Sequence, residues 1–271
     1  MPYAVEDRRP LAIAALCVAA GLAVLLFALM GRPGATTASA SAAAPAIAVH
    51  APTPAPAANV PTKPVANPLA RVPAHWRQLL QRNESAHVQA AWVAGFYPIY
   101  ARAQHAWNVN WLLLASVHRQ ETAFSSHPTT YHGLNFANCC AGPMQFNVTN
   151  GPRTTWDSYR NAYRAAPRPA DYPHRTAAHP SVYDDFDAIM AAGSLLKDSG
   201  ATQALDASAW QAAYDYYGHD ATGIAYADEV LARAIGWSQH GFSINQPVDP
   251  QLRAAVDAAW GAPARAGLAK T

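Results

Sequence analysis

Between Asp7 and Glu84 the chain carries no acidic residue, and nine prolines fall from Pro33 to Pro73 in a background of Ala, Thr and Ser. Such a stretch cannot bury a core and should run as an extended, partly polyproline tether. Folding is thereby confined to the residues that follow. The 271-residue chain divides into 1–32, a cytoplasmic tip with an apolar segment; 33–72, the Ala/Pro-rich linker; 73–242, one globular domain; and 243–271, a tail with room for a short helix.

The apolar segment, Leu11 to Met30, holds no charge. Twenty helical residues at ~1.5 Å each span about 30 Å, the hydrocarbon thickness of a bilayer. Arg8 and Arg9 precede it and Arg32 follows, which favours a cytoplasmic N-terminus. A cleaved signal peptide is the competing reading, with small-residue pairs at Ala38/Ala40 and Ala42/Ala44. The length of the run favours an uncleaved anchor. Either way the domain is exported, membrane-anchored in the first case and secreted in the second. A net charge of +2 without a basic-aromatic stripe gives no signature of nucleic-acid binding.

Beyond Pro73 the periodicity is helical. Asn83 or Ser85 can cap a helix carrying Val88, Ala91 and Trp92, which Pro98 should kink or end. Ile99, Tyr100, Ala103 and Trp107 continue the period, and Asn110 should cap the next helix. From Ser125 to about Tyr183, Gly and Pro punctuate loops, with room for a short hairpin and a short helix over 154–166. Asp184 or Asp185 should cap a helix ending near Gly200. Two more helices carry Trp210 to Tyr217 and Tyr226 to Trp237, and a last one is expected over 249–260. No convincing strand alternation is present, so the domain should be mainly α.

Within this frame Glu121 stands at the foot of an uncharged run, Trp111 to Val117, sharing a helix face with Leu114 and Val117. Burial of that face would raise its carboxyl pKa, and the negative end of the helix dipole acts in the same direction. A carboxylic acid kept protonated near neutrality is what general-acid cleavage of a glycosidic bond requires. Alone, Glu121 would read as a surface residue at a helix end. Two adjacent cysteines, Cys139 and Cys140, follow in a tight loop. Neighbouring cysteines rarely bridge, because a trans peptide holds their side chains apart, so free or intermolecularly paired thiols are expected.

The downstream motifs give Glu121 a context. Glu121-Thr122-Ala123-Phe124, then Ala141-Gly142-Pro143-Met144-Gln145-Phe146, then Thr155-Trp156, resemble the lytic transglycosylases and goose-type lysozymes. Val182 to Ile189, Ala213 to Asp220 and Tyr226 to Leu231 resemble three later segments of that family, in the same order. The resemblance spans roughly Pro73 to Trp237. It implies an α+β lysozyme-like domain in which Glu121 is the acid/base and Met144, Gln145, Phe146, Tyr217 and His219 serve the substrate cleft, Tyr217 approaching the catalytic carboxyl. It implies no cofactor and no metal.

Three positions depart from the family pattern. Gly218 replaces an asparagine, Asp185 a proline, and Thr122 the commoner serine. The chemistry so implied needs one carboxylate. Glu121 protonates the oxygen between N-acetylmuramic acid and N-acetylglucosamine, the 2-acetamido group assists, and the muramic C6 hydroxyl closes a 1,6-anhydro ring. Water in place of that hydroxyl gives hydrolysis, and a catalytically weak wall-binding module is a further alternative. Asp184, Asp185 and Asp187 are the obvious second carboxylates, although helix capping explains them better. His118-Arg119-Gln120-Glu121 lacks the second histidine of a zinc motif. The expected partners are peptidoglycan strands, the membrane through the N-terminal segment, and cell-wall or secretion machinery.

Overall fold

A computed structural model describes residues 87–269. The expectations for the apolar segment, for the linker and for caps at Asn83 or Ser85 lie outside these residues. Among the described residues no helix is long and apolar enough to cross a membrane. The chain forms α1 (Ala90–Ala94), α2 (Tyr97–Trp107), α3 (Trp111–Thr122), β1 (Cys140–Ala141), β2 (Phe146–Asn147), α4 (Thr155–Tyr159), α5 (Asp185–Asp198), α6 (Ala207–Tyr217), α7 (Ala221–His240), α8 (Pro250–Val256) and α9 (Ala262–Leu268). It is predominantly helical. The two strands make a minimal antiparallel hairpin, pairing Cys140 with Asn147 and Ala141 with Phe146.

Caps fall where short polar side chains allow them. Asn110 accepts from the Leu112 amide, and Asp184, Asp206, Asp220 and Asp249 each accept from the first turn of the helix they precede. Thr154 and Asp157 close a reciprocal capping box on α4. Pro98 behaves differently from the expectation: it sits in the first turn of α2, and the break comes before it, at Gly95 and Phe96. The first turn has no use for the missing N–H, so proline there begins a helix rather than ending one. The C-terminal helix expected over 249–260 passes through a wide turn at Asp257–Gly261 and continues to Leu268. These last segments pack on α7.

Helix α3 is the centre of the domain, packed against α2, α5 and α7. Every residue from Leu112 to Gln120 is buried, polar ones included. Its polar members are therefore answered by partners. Arg233 of α7 donates to Gln120 Oε1 at 2.8 Å, Ser116 Oγ at 3.2 Å and Glu229 Oε1 at 2.6 Å. The Ser116 hydroxyl donates to the Val230 carbonyl at 2.8 Å. Helices α3 and α7 are thus joined by a charged seam as well as by apolar packing.

The turn between the strands depends on Gly142. Its φ is +78°, and a Cβ placed there would lie 1.9 Å from the Val182 carbonyl oxygen. Gly133 has a similar φ of +72° with open space around it. Gly142→Ala should therefore cost about 3 kcal/mol or more, while Gly133→Ala should cost only ~1 kcal/mol, the left-handed backbone penalty alone. Urea unfolding of the two variants checks this; equal losses would show that the Val182 contact yields without cost.

Candidate functional site

The geometry at the end of α3 is unusual. Ala123, Phe124 and Ser125 all adopt left-handed conformations, with φ of 50°, 55° and 62°. For residues with a Cβ this costs roughly 1–2 kcal/mol each, so the neighbourhood must enforce it. Thr122 Oγ1 receives the Ser125 amide at 3.0 Å and donates to the Pro143 carbonyl at 2.7 Å. The Phe124 ring is fully buried between His118, Trp237 and Phe242, and its carbonyl accepts from Trp92 Nε1 at 2.7 Å.

His118 is buried, and burial holds its pKa down at about 3, so the ring is neutral. It lies 2.7 Å from both Ser125 Oγ and Tyr100 Oη. Ser125 donates onward to Asp185 Oδ1 at 3.3 Å, which suits a ring protonated at Nε2 and accepting from Tyr100 at Nδ1. The chain thus leaves α3 by a sharp, braced reversal, and Glu121 stands immediately before it.

Glu121 lies on a cleft of about 750 Å³, lined among others by Thr122, Leu134, Phe136, Gln145, Phe146 and Tyr217. Burial raises its carboxyl pKa to about 7, against the opposing pull of a hydrogen bond from Tyr226. That bond is short, Tyr226 Oη donating to Glu121 Oε1 at 2.6 Å. Tyr226 is itself buried, and its ring stacks on Tyr217 with centroids 4.7 Å apart. The Glu121 charge in turn adds to burial in raising the phenol pKa values of Tyr216, Tyr217 and Tyr226.

The expected residues fall into place unevenly. Gln145 lines the cleft with a φ of 49°, and its amide donates to the Gly142 carbonyl at 2.9 Å. Phe146 lines it too, packed edge-on against Trp156 and Tyr216. Tyr217 lines the cleft as well. The short bond to Glu121 comes from Tyr226, one turn into α7, which reads in sequence as ordinary helix core.

Met144 is corrected: its side chain is fully buried and is not part of the cleft surface, because the turn directs it into the core. Its carbonyl matters instead, accepting from Tyr216 Oη at 2.6 Å and tying α6 to the turn. His219 is also outside the lining. It is exposed, paired with Asp215 at 2.7 Å and packed on the Tyr214 ring.

The cysteines are corrected as well. Cys139 and Cys140 are disulfide-bonded to each other across a Cα separation of 3.7 Å, and both border the cleft. The trans peptide does not prevent the pairing, since the ring closes through the side chains.

Asp184, Asp185 and Asp187 do not reach the cleft. Asp184 caps α5 and accepts from Tyr172 and Thr176, while Asp185 accepts from Ser125, Tyr131 and the His174 amide. Asp187 accepts from Arg168 at 2.6 Å, His179 at 2.8 Å and the Ser181 amide at 2.8 Å. His179, Asp184 and Asp187 are close enough together to hold a cation. Arg168 already supplies the positive charge there, and the cluster pins the 168–181 loop to α5. The carboxylates that do border the cleft beside Glu121 are Asp215 and Asp220, which the sequence does not single out; each is also bonded at a helix end, Asp215 to His219 and Asp220 to the Thr222 amide.

Gly218 has φ 143° and ψ 159°, a region almost reserved for glycine. Its carbonyl fits against Gly223, where a Cβ would lie 1.7 Å from the oxygen. A side chain at this position would be strained in that backbone.

A carboxyl raised from about 4.5 to about 7 binds its proton more tightly in the folded state. Its contribution to stability is complete below pH 4.5 and is lost as pH rises through about 7. Glu121→Gln should therefore melt close to wild type at pH 4.5 and be more stable at pH 8.5, by about 3 kcal/mol. Thermal melts across that range check it; an equal offset at both ends would deny the raised pKa. No family model, curated protein or solved structure matches this chain.

Proposed function

We propose that this domain is a lysozyme-like peptidoglycan lytic transglycosylase. The observation that carries the reading is a glutamate lining the cleft, whose pKa is raised to about 7 by burial and which accepts a 2.6 Å bond from Tyr226. Protonated Glu121 donates to the oxygen linking N-acetylmuramic acid to N-acetylglucosamine. The substrate acetamido group assists at the anomeric carbon. Glu121, now ionised and stabilised by Tyr226, takes the proton of the muramic C6 hydroxyl, closing a 1,6-anhydro ring. Gln145 offers its side-chain amide to the sugar, backed by the buried ring of Phe146.

The membrane-anchored, extracytoplasmic placement proposed from the N-terminal segment fits a cell-wall substrate. An intact disulfide is also at home in an oxidising compartment. A hydrolytic muramidase is the second reading, and it is favoured by Asp215 and Asp220, which put second carboxyl groups on the same cleft as Glu121.

Mass spectrometry of digested sacculi separates these. Anhydromuramyl ends are expected, reducing ends point to hydrolysis, and no release of fragments would reject both. Glu121→Gln should lower the rate about 10²–10⁴-fold while murein still binds. Tyr226→Phe removes the donor that favours the ionised acid, so Glu121 should lose its proton at higher pH. The alkaline limb of the rate profile should then move upward from about pH 7; an unmoved or lowered limb would place another group in that titration.

A further inference from the structure

We propose that the Cys139–Cys140 disulfide is a glycan-contacting element of the cleft, holding Phe136 and its turn as a rigid wall, so that saccharide affinity depends on its oxidation state. The inference rests on the glycan reading above. Both cysteines are partly exposed and border the same cleft as Glu121, along with Asn135, Phe136 and Ala137. Phe136 is 57% exposed, more than any other large hydrophobic residue described. An exposed ring beside a disulfide offers an apolar, polarisable surface of the kind that packs against a sugar face.

The turn that carries this surface runs directly into the disulfide. The Asn135 amide donates to the Cys140 carbonyl at 2.8 Å and the Asn138 amide to the Asn135 carbonyl at 2.9 Å. Asn135 Oδ1 accepts from the Ala137 amide at 3.1 Å, and Asn138 is left-handed with φ 54°. On the other side Cys140 pairs with Asn147 in the hairpin, and the Cys139 carbonyl accepts from the Val148 amide at 2.9 Å. Thr149 Oγ1 also donates to the Asn138 and Cys139 carbonyls, at 3.4 Å each, and the Cys139 amide donates to Asn135 Oδ1 at 3.4 Å, so the cysteines sit where a paired hairpin meets an exposed turn. Closing their side chains into one ring removes two side-chain rotors at that joint. Reduction restores them and puts two thiols on the cleft where a disulfide face stood.

The test uses the full chain carrying Glu121→Gln, so that ligand is not turned over, with tetra-N-acetylchitotetraose as the probe in calorimetry. A water-soluble phosphine opens the bond: the disulfide takes up two electrons and two protons to give two thiols, and the phosphine gains an oxygen from water. Reduction should weaken binding about tenfold, equivalent to ~1.4 kcal/mol. Cys139→Ser with Cys140→Ser should bind as weakly as the reduced protein and ignore the reductant. Should that double variant fail to fold, reduction of the native pair still gives the answer.

Equal affinity in the oxidised and reduced proteins, with thiol titration proving the bond open, overturns this proposal alone. Absence of binding in both states overturns the glycan reading and this assignment with it.

Discussion

The left-handed run Ala123–Phe124–Ser125 is the constraint on which the rest of the site depends. A helix as buried as α3 cannot end gradually, because each free carbonyl of its last turn would need a partner in the core. It ends within three residues, and the Ala123 and Phe124 amides return to the Arg119 and His118 carbonyls. The groups that hold this reversal come from distant parts of the chain: the side chains of Trp92, Tyr100, Asp185 and Trp237 and the carbonyl of Pro143. Strained backbone braced on all sides is commonly found where a catalytic group must be held still. Here it sets Glu121 at the rim between core and cleft.

Two glutamates show how strongly surroundings decide chemistry. Glu229 is more deeply buried than Glu121, yet Arg233 meets it at 2.6 Å and that guanidinium is shared with Gln120 and Ser116. Removing one member of such a buried pair costs about 3–5 kcal/mol, so Glu229 belongs to the framework. Glu121 is met by a phenol, which favours the ionised form far less than a guanidinium does. Burial therefore prevails, and the proton stays on near neutrality.

Much of the helical framework is legible because helix signals are local. Asn110, Asp184 and Thr154 act as caps through bonds to amides two or three residues away, and the apolar spacing from Leu112 to Val117 needs only its own helix to be read. The failures have the opposite character. Pro98 is ambiguous locally, since the same residue ends one helix or begins the next according to where the preceding turn breaks. Tyr226 looks like any core aromatic, and its meeting with Glu121 joins residues 105 positions apart. Met144 and Gln145 are neighbours in one motif, yet the turn sends one inward and leaves the other on the cleft.

The sequence by itself determined a mainly helical domain beyond the proline-rich segment and singled out Glu121 at the foot of its most apolar helix. Thr122, Asp185 and Gly218 were visible in it too, but their roles were not. Thr122 keeps a hydroxyl that clamps the Pro143 carbonyl, Asp185 anchors Ser125, and Gly218 allows a backbone few other residues adopt. Only the tertiary structure decided that Tyr226 supplies the bond to the acid, that the two cysteines close on each other, and that Asp215 and Asp220 rather than the α5 aspartates border the cleft. The reason is physical. Helix type is set by neighbours within a turn or two, whereas a carboxyl's proton affinity is set by whatever the whole fold brings within a few ångströms of it.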